Sequence, residues 1–416
     1  MKGEKSLKTI ALAGTLDSKG EEFLYVKELI ESLDLKVLTI NTGVFEPMFE
    51  ADISNAQVAE AAGENIKEIA AQKDRAYATE ILAKGMEILL PQLYEEGKFD
   101  GILSFGGTGG TSIVTPGMRA LPIGVPKVMV STVASGNTEP YIGTSDLIMM
   151  PSIVDVAGLN VISSKIFTNA VFAIAGMVKF ESISKIKKKP LIAASMFGVT
   201  TPCVTHAKHY LEERGYEVLV FHATGVGGRT MENLISNGFI DGVLDITTTE
   251  WADELIGGVL AAGPNRLEAA ARKQIPQVVS VGALDMVNFG PFDSVPKEFK
   301  GRNLYKHNPT VTLMRTTIEE NRKIAEVIAE KLNLSQKDTV LMLPIKGVSG
   351  LDVEGQSFYG PEEDQMLFDS LKGNIDQNKV EIVEMNTDIN SKEFAEAAAE
   401  KLLQLLKNKK ELEYLC

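Results

Sequence analysis

The sequence predicts an α/β protein of two doubly wound, Rossmann-like parallel-sheet domains facing each other across a cleft. Short apolar runs repeatedly break into turns rich in glycine, serine and threonine, and each turn leads into a stretch of helical periodicity, the grammar of βαβ units. Composition changes sharply at residues 181–190, ESISKIKKKP. A chain of 416 residues also exceeds what one compact core accommodates. The expected division is a first domain over 1–183, a linker at 184–190 whose lysines read as a solvated connection, and a second domain over 191–416.

In the first domain, residues 9–13 form a buried-type strand, GTLDSKG is its turn, and an amphipathic helix covers 21–33. A second strand spans 36–41, and a loop over 42–54 leads to a helix at 55–62 capped by Ser54 or Asn55. A longer helix over 74–94 precedes the strand 102–105, which breaks into Gly106, Gly107, Thr108, Gly109, Gly110, Thr111 and Ser112 before a helix at 113–119. A strand over 125–132 ends in the polar loop 133–138, a further strand is expected at 147–150, and the alanine-rich, mostly apolar helix 161–179 closes the domain.

The second domain repeats the pattern. A strand at 191–195 gives way to the turn 197–201 and a helix at 202–214 with proline in its first turn. The strand 218–222 breaks into ATGVGGR before a helix at 230–237. Residues 242–246 run into Thr247, Thr248, Thr249 and Glu250, and 277–281 supply another strand. Glycine and proline between 285 and 309 predict a long, site-forming loop. A charged helix at 317–332, a strand at 340–343, a glycine-rich loop at 344–361, a strand at 380–385 and a helix at 391–406 complete the chain.

A net charge of −14 argues against a broad nucleic-acid or anionic-membrane surface, so an anionic ligand needs a local site. Two cysteines, Cys203 and Cys416, exclude a disulfide framework and fit a reducing cytoplasm. The start of the chain has charge without a long apolar core, and no eighteen apolar residues run together, so an unexported cytoplasmic protein is expected.

The local site is expected at the glycine turn 106–112. Glycines let the backbone come close to a ligand, while the amides opening the next helix carry the positive end of its dipole. Such a turn suits phosphate. It lacks the lysine of GxxxxGK[ST], and Gly107, Gly109 and Ser112 match GxGxxG only with serine in the last place. The next strand delivers Ser131, Thr132, Ser135 and Gly136 to the same carboxyl edge, where open parallel sheets bind ligands. The first turn adds Gly14, Thr15, Asp17 and Lys19, with Lys19 in reach of a phosphate oxygen and Asp17 of magnesium or a ribose hydroxyl. Lys127 and Arg119 are the cations nearest the glycine turn in sequence; Lys127 opens a strand and reads as structural. Asp146 and Asp155 read as solvated acids or caps. In the second domain His222, Asp245 and Glu250 stand at strand ends as candidate catalytic groups, with Arg229 and Arg266 as counter-charges. His307 and Asn308 open a polar segment that could face the cleft. Cys203 reads as a buried small side chain, and its spacing to His206 and His209 lacks a further ligand group, so no metal site is assigned.

Nine stretches in order, GTLDSKGEE (14–22), SFGGTGGTS (104–112), RALPIGVPKVMVSTVASG (119–136), SIVDVAGLN (152–160), FGVTTPCV (197–204), FHATGVGGRTME (221–232), DITTTEWADEL (245–255), GALDMVNFG (282–290) and HNPTVTLMRTT (307–317), carry a resemblance. The chain resembles an uncharacterised protein family typified by the ATP-binding N-terminal domain of the tomato mosaic virus resistance protein, an inhibitor of viral RNA replication. That resemblance implies an ATP-binding protein of two α/β subdomains that forms a homodimer, and implies no known reaction. In the plant protein a barrel-type domain follows, so any role needing that domain implies a separate barrel-domain partner. The expectation is a cytoplasmic nucleotide-binding enzyme using ATP and magnesium on a small metabolite at the interdomain cleft. The alternatives are a nucleotide-gated protein-binding module, and an isomerase or lyase on a phosphorylated or carboxylated metabolite. An enzyme needs at least one of His222, Asp245 and Glu250 exposed at the cleft; a module needs none.

Overall fold

A computed structural model describes residues 7–180, 189–336 and 338–413. The chain divides into two compact units, Met1–Lys185 and Ile186–Cys416. Most of the expected linker lies outside the described residues.

The first unit runs β1 (Thr9–Gly14), α1 (Gly20–Glu31), β2 (Lys36–Asn41), α2 (Asn55–Ala61), α3 (Ile66–Gln72), α4 (Arg75–Glu95), β3 (Gly101–Gly106), α5 (Thr108–Ala120), β4 (Lys127–Ser131), α6 (Glu139–Ile142), β5 (Ile148–Pro151) and α7 (Val161–Lys179). Its five strands are parallel in the order β2-β1-β3-β4-β5. Central strands such as β1, ThrIleAlaLeuAlaGly, bury both faces, as helix-covered parallel strands must. Ile10, Leu12, Phe105 and Val128 pack under α1 and α7, whereas Ala11, Ile102 and Met129 pack under the helices α2 to α5.

The helix starts are written locally. Ser54 closes a capping box with Gln57 on α2, Asp74 accepts from the amides of Ala76 and Tyr77 on α4, and Asn160 closes a box with Ser163 on α7. Helix α3, capped by Asn65, falls in a stretch to which the sequence assigned no element. Helix α7 is long and apolar enough to cross a membrane by length and composition. Here its Phe167, Val171, Ile174 and Val178 are buried in the core beside Phe105, which is why its sequence is apolar. The difference that matters most for the site is at α5. This helix begins at Thr108 rather than near residue 113, so Gly109 and Gly110 form its first turn instead of a separate loop.

The second unit runs β6 (Leu191–Met196), α8 (Thr201–Glu212), β7 (Glu217–His222), α9 (Val226–Ser236), β8 (Gly242–Thr247), α10 (Glu250–Ile256), α11 (Ala269–Lys273), β9 (Gln277–Gly282), β10 (Met286–Phe289), β11 (Leu304–Asn308), β12 (Val311–Arg315), α12 (Ile318–Leu332), β13 (Thr339–Pro344), α13 (Pro361–Asn374), β14 (Val380–Met385) and α14 (Lys392–Glu413). Six parallel strands lie in the order β14-β13-β9-β8-β6-β7, so the strand order reverses at the first strand just as in the first unit. The stretch expected as a loop at 285–309 instead supplies β10 and β11, which pair with β12 in an antiparallel sheet. Alternation is short in both strands and the glycines and prolines lie between them, which hid the pattern. Helix α9 starts at Val226, four residues before the expected position, again drawing glycines into a first helical turn.

Candidate functional site

In an open parallel sheet, ligands bind outside the carboxyl ends of the strands where the strand order reverses. In the first unit that point lies between β1 and β3. A cavity of about 750 Å³ sits there, lined after β1 by Thr15, Asp17, Ser18 and Lys19, after β2 by residues 42–46, and after β3 by Gly107, Thr108, Gly109 and Gly110. Helices α3, α4 and α5 add an apolar wall of Ile69, Ala78, Leu82 and Ile113. Asp155 closes another side.

The chemistry of the β3 edge comes from the start of α5. Gly107 stands at the N-cap and has no side chain, so no cap hydrogen bond covers the opening turn. Thr111 is the first amide to find a backbone acceptor, the Gly107 carbonyl at 3.0 Å. The amides of Thr108, Gly109 and Gly110 have no acceptor among the described residues. Three unmade amide bonds at the positive end of a thirteen-residue helix, on a cavity wall, form an anion-accepting surface.

The structure brings together Thr15, Asp17, Lys19 and the segment 107–110, and separates the rest of the predicted set. Gly14 serves packing: a Cβ there would stand 1.9 Å from the Phe23 ring, which stacks on Phe105 with centroids 3.9 Å apart. Gly106 ends β3 and is no lining residue. Thr111 and Ser131 are buried and bonded to each other at 2.6 Å, tying the end of β4 to α5. Thr132, Ser135 and Gly136 belong to a short 3-10 turn and its cap, outside the cavity lining. Within the cavity, Asp17 accepts the Phe45 amide at 3.0 Å and lies against Gly43, where a Cβ would come within 2.5 Å of its carboxyl. Lys19 donates to the Val156 carbonyl, so its ammonium is already held by the segment beside Asp155.

The nearest sequence cations prove structural. Lys127 is buried, donates to the carbonyls of Pro122 and Val125, and pairs with Asp146 at 2.7 Å. Burial pushes its pKa down and the Asp146 carboxylate opposes that. Arg119 donates to the carbonyls of Pro140 and Tyr141. The cation that does stand at the glycines is Arg75, the first residue of α4. Its Nη2 lies 3.2 Å from where a Cβ on Gly109 would be. Thr42, fully buried on the cavity wall with an Oγ1 that has no partner, was likewise missed. No local spacing links Arg75 to a glycine turn more than thirty residues away; the available clue was Asp74, whose cap fixes Arg75 as the first helical residue. Thr42 follows the end of β2, where the carboxyl-edge rule would have placed a lining residue.

In the second unit, the predicted catalytic carboxylates are committed elsewhere. Arg266, fully buried, donates to Asp245 through Nη1 at 2.5 Å and Nη2 at 2.7 Å, to Glu250 through Nε at 2.7 Å and to Glu232 at 3.1 Å. Burial works against its charge, yet Asp245, Glu250 and Glu232 carry its pKa well above the usual arginine value. Glu250 also accepts the amides of Gly225 at 2.7 Å and Gly228 at 3.1 Å. The glycine-built start of α9 therefore holds the protein's own carboxylate. His222 is exposed at the end of β7, an edge strand. Arg229 donates to the Ala261 carbonyl. His307 and Asn308 are exposed on β11. Burial pushes the Cys203 thiol up to about 12, so it is no thiolate, and His206 pairs with Glu396 at 3.1 Å. Among the described residues no group of three or more histidine, cysteine or acidic side chains is placed to hold a metal ion.

Fold and site together define a two-unit α/β protein with a parallel sheet in each unit and a cavity at the switch point of the first. The chain belongs to the uncharacterised protein family UPF0261, whose N-terminal domain model matches residues 8–182 and whose C-terminal domain model matches 189–406. It is 56% identical over 400 residues to a UPF0261 protein of Clostridium tetani, covering 96% of this chain and 99% of that one. It is 48% identical over 337 residues to the ToMV resistance protein Tm-1(GCR237) of Solanum lycopersicum, covering 80% of this chain and 45% of the tomato protein. The ToMV susceptible protein tm-1(GCR26) of the same plant shows the same 48% identity and coverage. The chain thus spans about half the length of the tomato proteins. Because the likeness to the resistant and susceptible forms is equal, resistance is not carried over to it.

Proposed function

We propose that the switch-point cavity of the first unit binds a nucleotide, ATP with magnesium, with its phosphates on the amides of Thr108, Gly109 and Gly110. The observation that carries the reading is the uncapped first turn of α5 opening onto a cavity large enough for such a ligand. The apolar wall of Ile69, Ala78, Leu82 and Ile113 suits a base, and Asp17 and Asp155 offer acceptors to ribose hydroxyls or a hydrated magnesium ion. The family resemblance read from the sequence supplies ATP as the first nucleotide to test.

Of the functional classes, a nucleotide-gated binding module does not depend on the predicted trio of the second unit, whereas an enzyme acting through that unit would have to rely on His222. Asp245 and Glu250 are buried on Arg266, which leaves His222 as the exposed member of the predicted trio. The module reading keeps the cytoplasmic setting, the homodimer and a separate barrel-domain partner as its working context.

The test is a thermal-shift panel of nucleotides and sugar phosphates with and without magnesium. ATP near one hundred times its Kd stabilises the bound form by about 2.7 kcal/mol. Gly109→Val, whose side chain intrudes between the α5 amides and Arg75, abolishes the ATP response while the unfolding transition without ligand stays in place. A response to another metabolite and none to ATP overturns the nucleotide reading; an unchanged ATP response in Gly109→Val places the phosphates elsewhere.

A further inference from the structure

We infer that Arg75 is the specificity-determining cation of the switch-point cavity, forming with the first-turn amides of α5 a single clamp for a phosphoryl or pyrophosphoryl group. The inference deepens the nucleotide reading, on whose cavity it rests.

Two positive features face each other without an anion between them. One is the uncapped start of α5. The other is the Arg75 guanidinium, with Nη2 3.2 Å from the position of a Cβ on Gly109. A guanidinium placed against the positive end of a helix is electrostatically unfavourable unless something negative joins them. No carboxylate among the described residues forms an ion pair with Arg75, although Glu46 and Asp155 also line the cavity. The neighbouring Asp74 is engaged by the amides of Ala76 and Tyr77, and Asp17 by that of Phe45. Thr42 is an independent sign of a ligand in the same cavity, being wholly buried with an unpartnered Oγ1.

The geometry also explains why glycine occupies position 109. A Cβ there would stand 3.2 Å from Nη2 and crowd the space between Arg75 and the amides. Arginine supplies a planar fork that matches two oxygens of one phosphoryl group, which a lysine ammonium does not. A carboxylate also fits the fork, but a phosphoryl group has more oxygens and more charge, and so can satisfy the fork and the helix amides at once.

The test uses the full chain and three probes, ATP, inorganic pyrophosphate and adenosine, titrated calorimetrically into wild type, Arg75→Ala and Arg75→Lys. Arg75→Ala is expected to weaken ATP and pyrophosphate by about 10- to 100-fold, the loss of charge-assisted bonds, with adenosine unchanged. Arg75→Lys recovers part of that loss. Urea unfolding of each variant should nearly superimpose on wild type, because the side chain is exposed. ATP and pyrophosphate binding in Arg75→Ala at wild-type strength overturns the inference. Wild type binding pyrophosphate as tightly as ATP, with the same dependence on Arg75, supports the clamp and overturns the nucleotide. Wild type binding none of the three overturns both.

Discussion

Replacing Arg266 by methionine separates a scaffolding role for Asp245 and Glu250 from a catalytic one. Methionine keeps most of the side-chain volume and removes the charge, leaving Asp245, Glu250 and Glu232 with no cation between them. Removing one partner of a buried ion pair costs about 3–5 kcal/mol because the other charge is left uncompensated. Here one guanidinium serves three carboxylates, so the upper end applies, against a total domain stability of about 5–15 kcal/mol. The sign with pH follows. Burial already raises the Glu232 carboxyl and the Arg266 charge opposes that, so without Arg266 its folded pKa lies further above the unfolded one, and this part of the penalty is full above the raised value and fades as acid protonates the group. Urea unfolding at pH 8 and pH 5 measures both terms. The chain's single tryptophan, Trp251, adjoins Glu250 and is buried, so its fluorescence reports this unit. A loss below about 1 kcal/mol at pH 8, or a loss no smaller at pH 5, refutes the scaffolding argument. The ATP response proposed for the first unit should be untouched in the variant.

Burial pushes the Asp253 carboxyl up to about 7 against the hydrogen bonds it receives from the Asn288 amides. Its folded value lies above the unfolded one, so wild-type stability falls as pH rises from about 4 to 7. Asp253→Asn keeps an acceptor for the Asn288 backbone amide, and a flip of the Asn288 side-chain amide brings its partnerless Oδ1 onto the new Nδ2 donor, so the variant should exceed wild type by about 1–3 kcal/mol at pH 8 and lose that advantage near pH 5. Equal stability of the two proteins at pH 8 would contradict this. In the first unit, Gly14→Ala drives a methyl into the Phe23 ring and should cost about 1–3 kcal/mol in urea unfolding. Gly107→Ala, whose Cβ meets nothing nearer than Thr132 Oγ1 at 3.8 Å, should cost only a few tenths of a kcal/mol. Similar losses at the two glycines would undo the packing account of Gly14.

Strand positions and the α/β class were legible because parallel strands buried on both faces write themselves as short apolar runs, as in ThrIleAlaLeuAlaGly and GlyIleLeuSerPheGly. Helix starts with side-chain caps, at Ser54, Asp74 and Thr317, were legible for the same local reason. The starts of α5 and α9 were placed late because glycine disfavours helix and masks the first turn; tertiary packing overrides that preference. For the candidate site, Asp17 and the glycines 107–110 were readable from the strand-end rule. Arg75 and Arg266 were not placed, since each acts on residues brought beside it by folding: a guanidinium thirty-four positions from Gly109, and another twenty-one from Asp245. Nor does local sequence reveal that Glu250, expected as a catalytic group, already accepts the amides at the start of α9.

That last arrangement makes the two halves unequal despite their shared strand order. Both contain a helix whose opening turn is built from glycine, but one of them carries its negative charge in the gene while the other, on the proposed reading, would draw it from solution. On that reading the expected stoichiometry of a phosphoryl ligand at these helix starts is one per chain, and only the first half would respond to the composition of its surroundings.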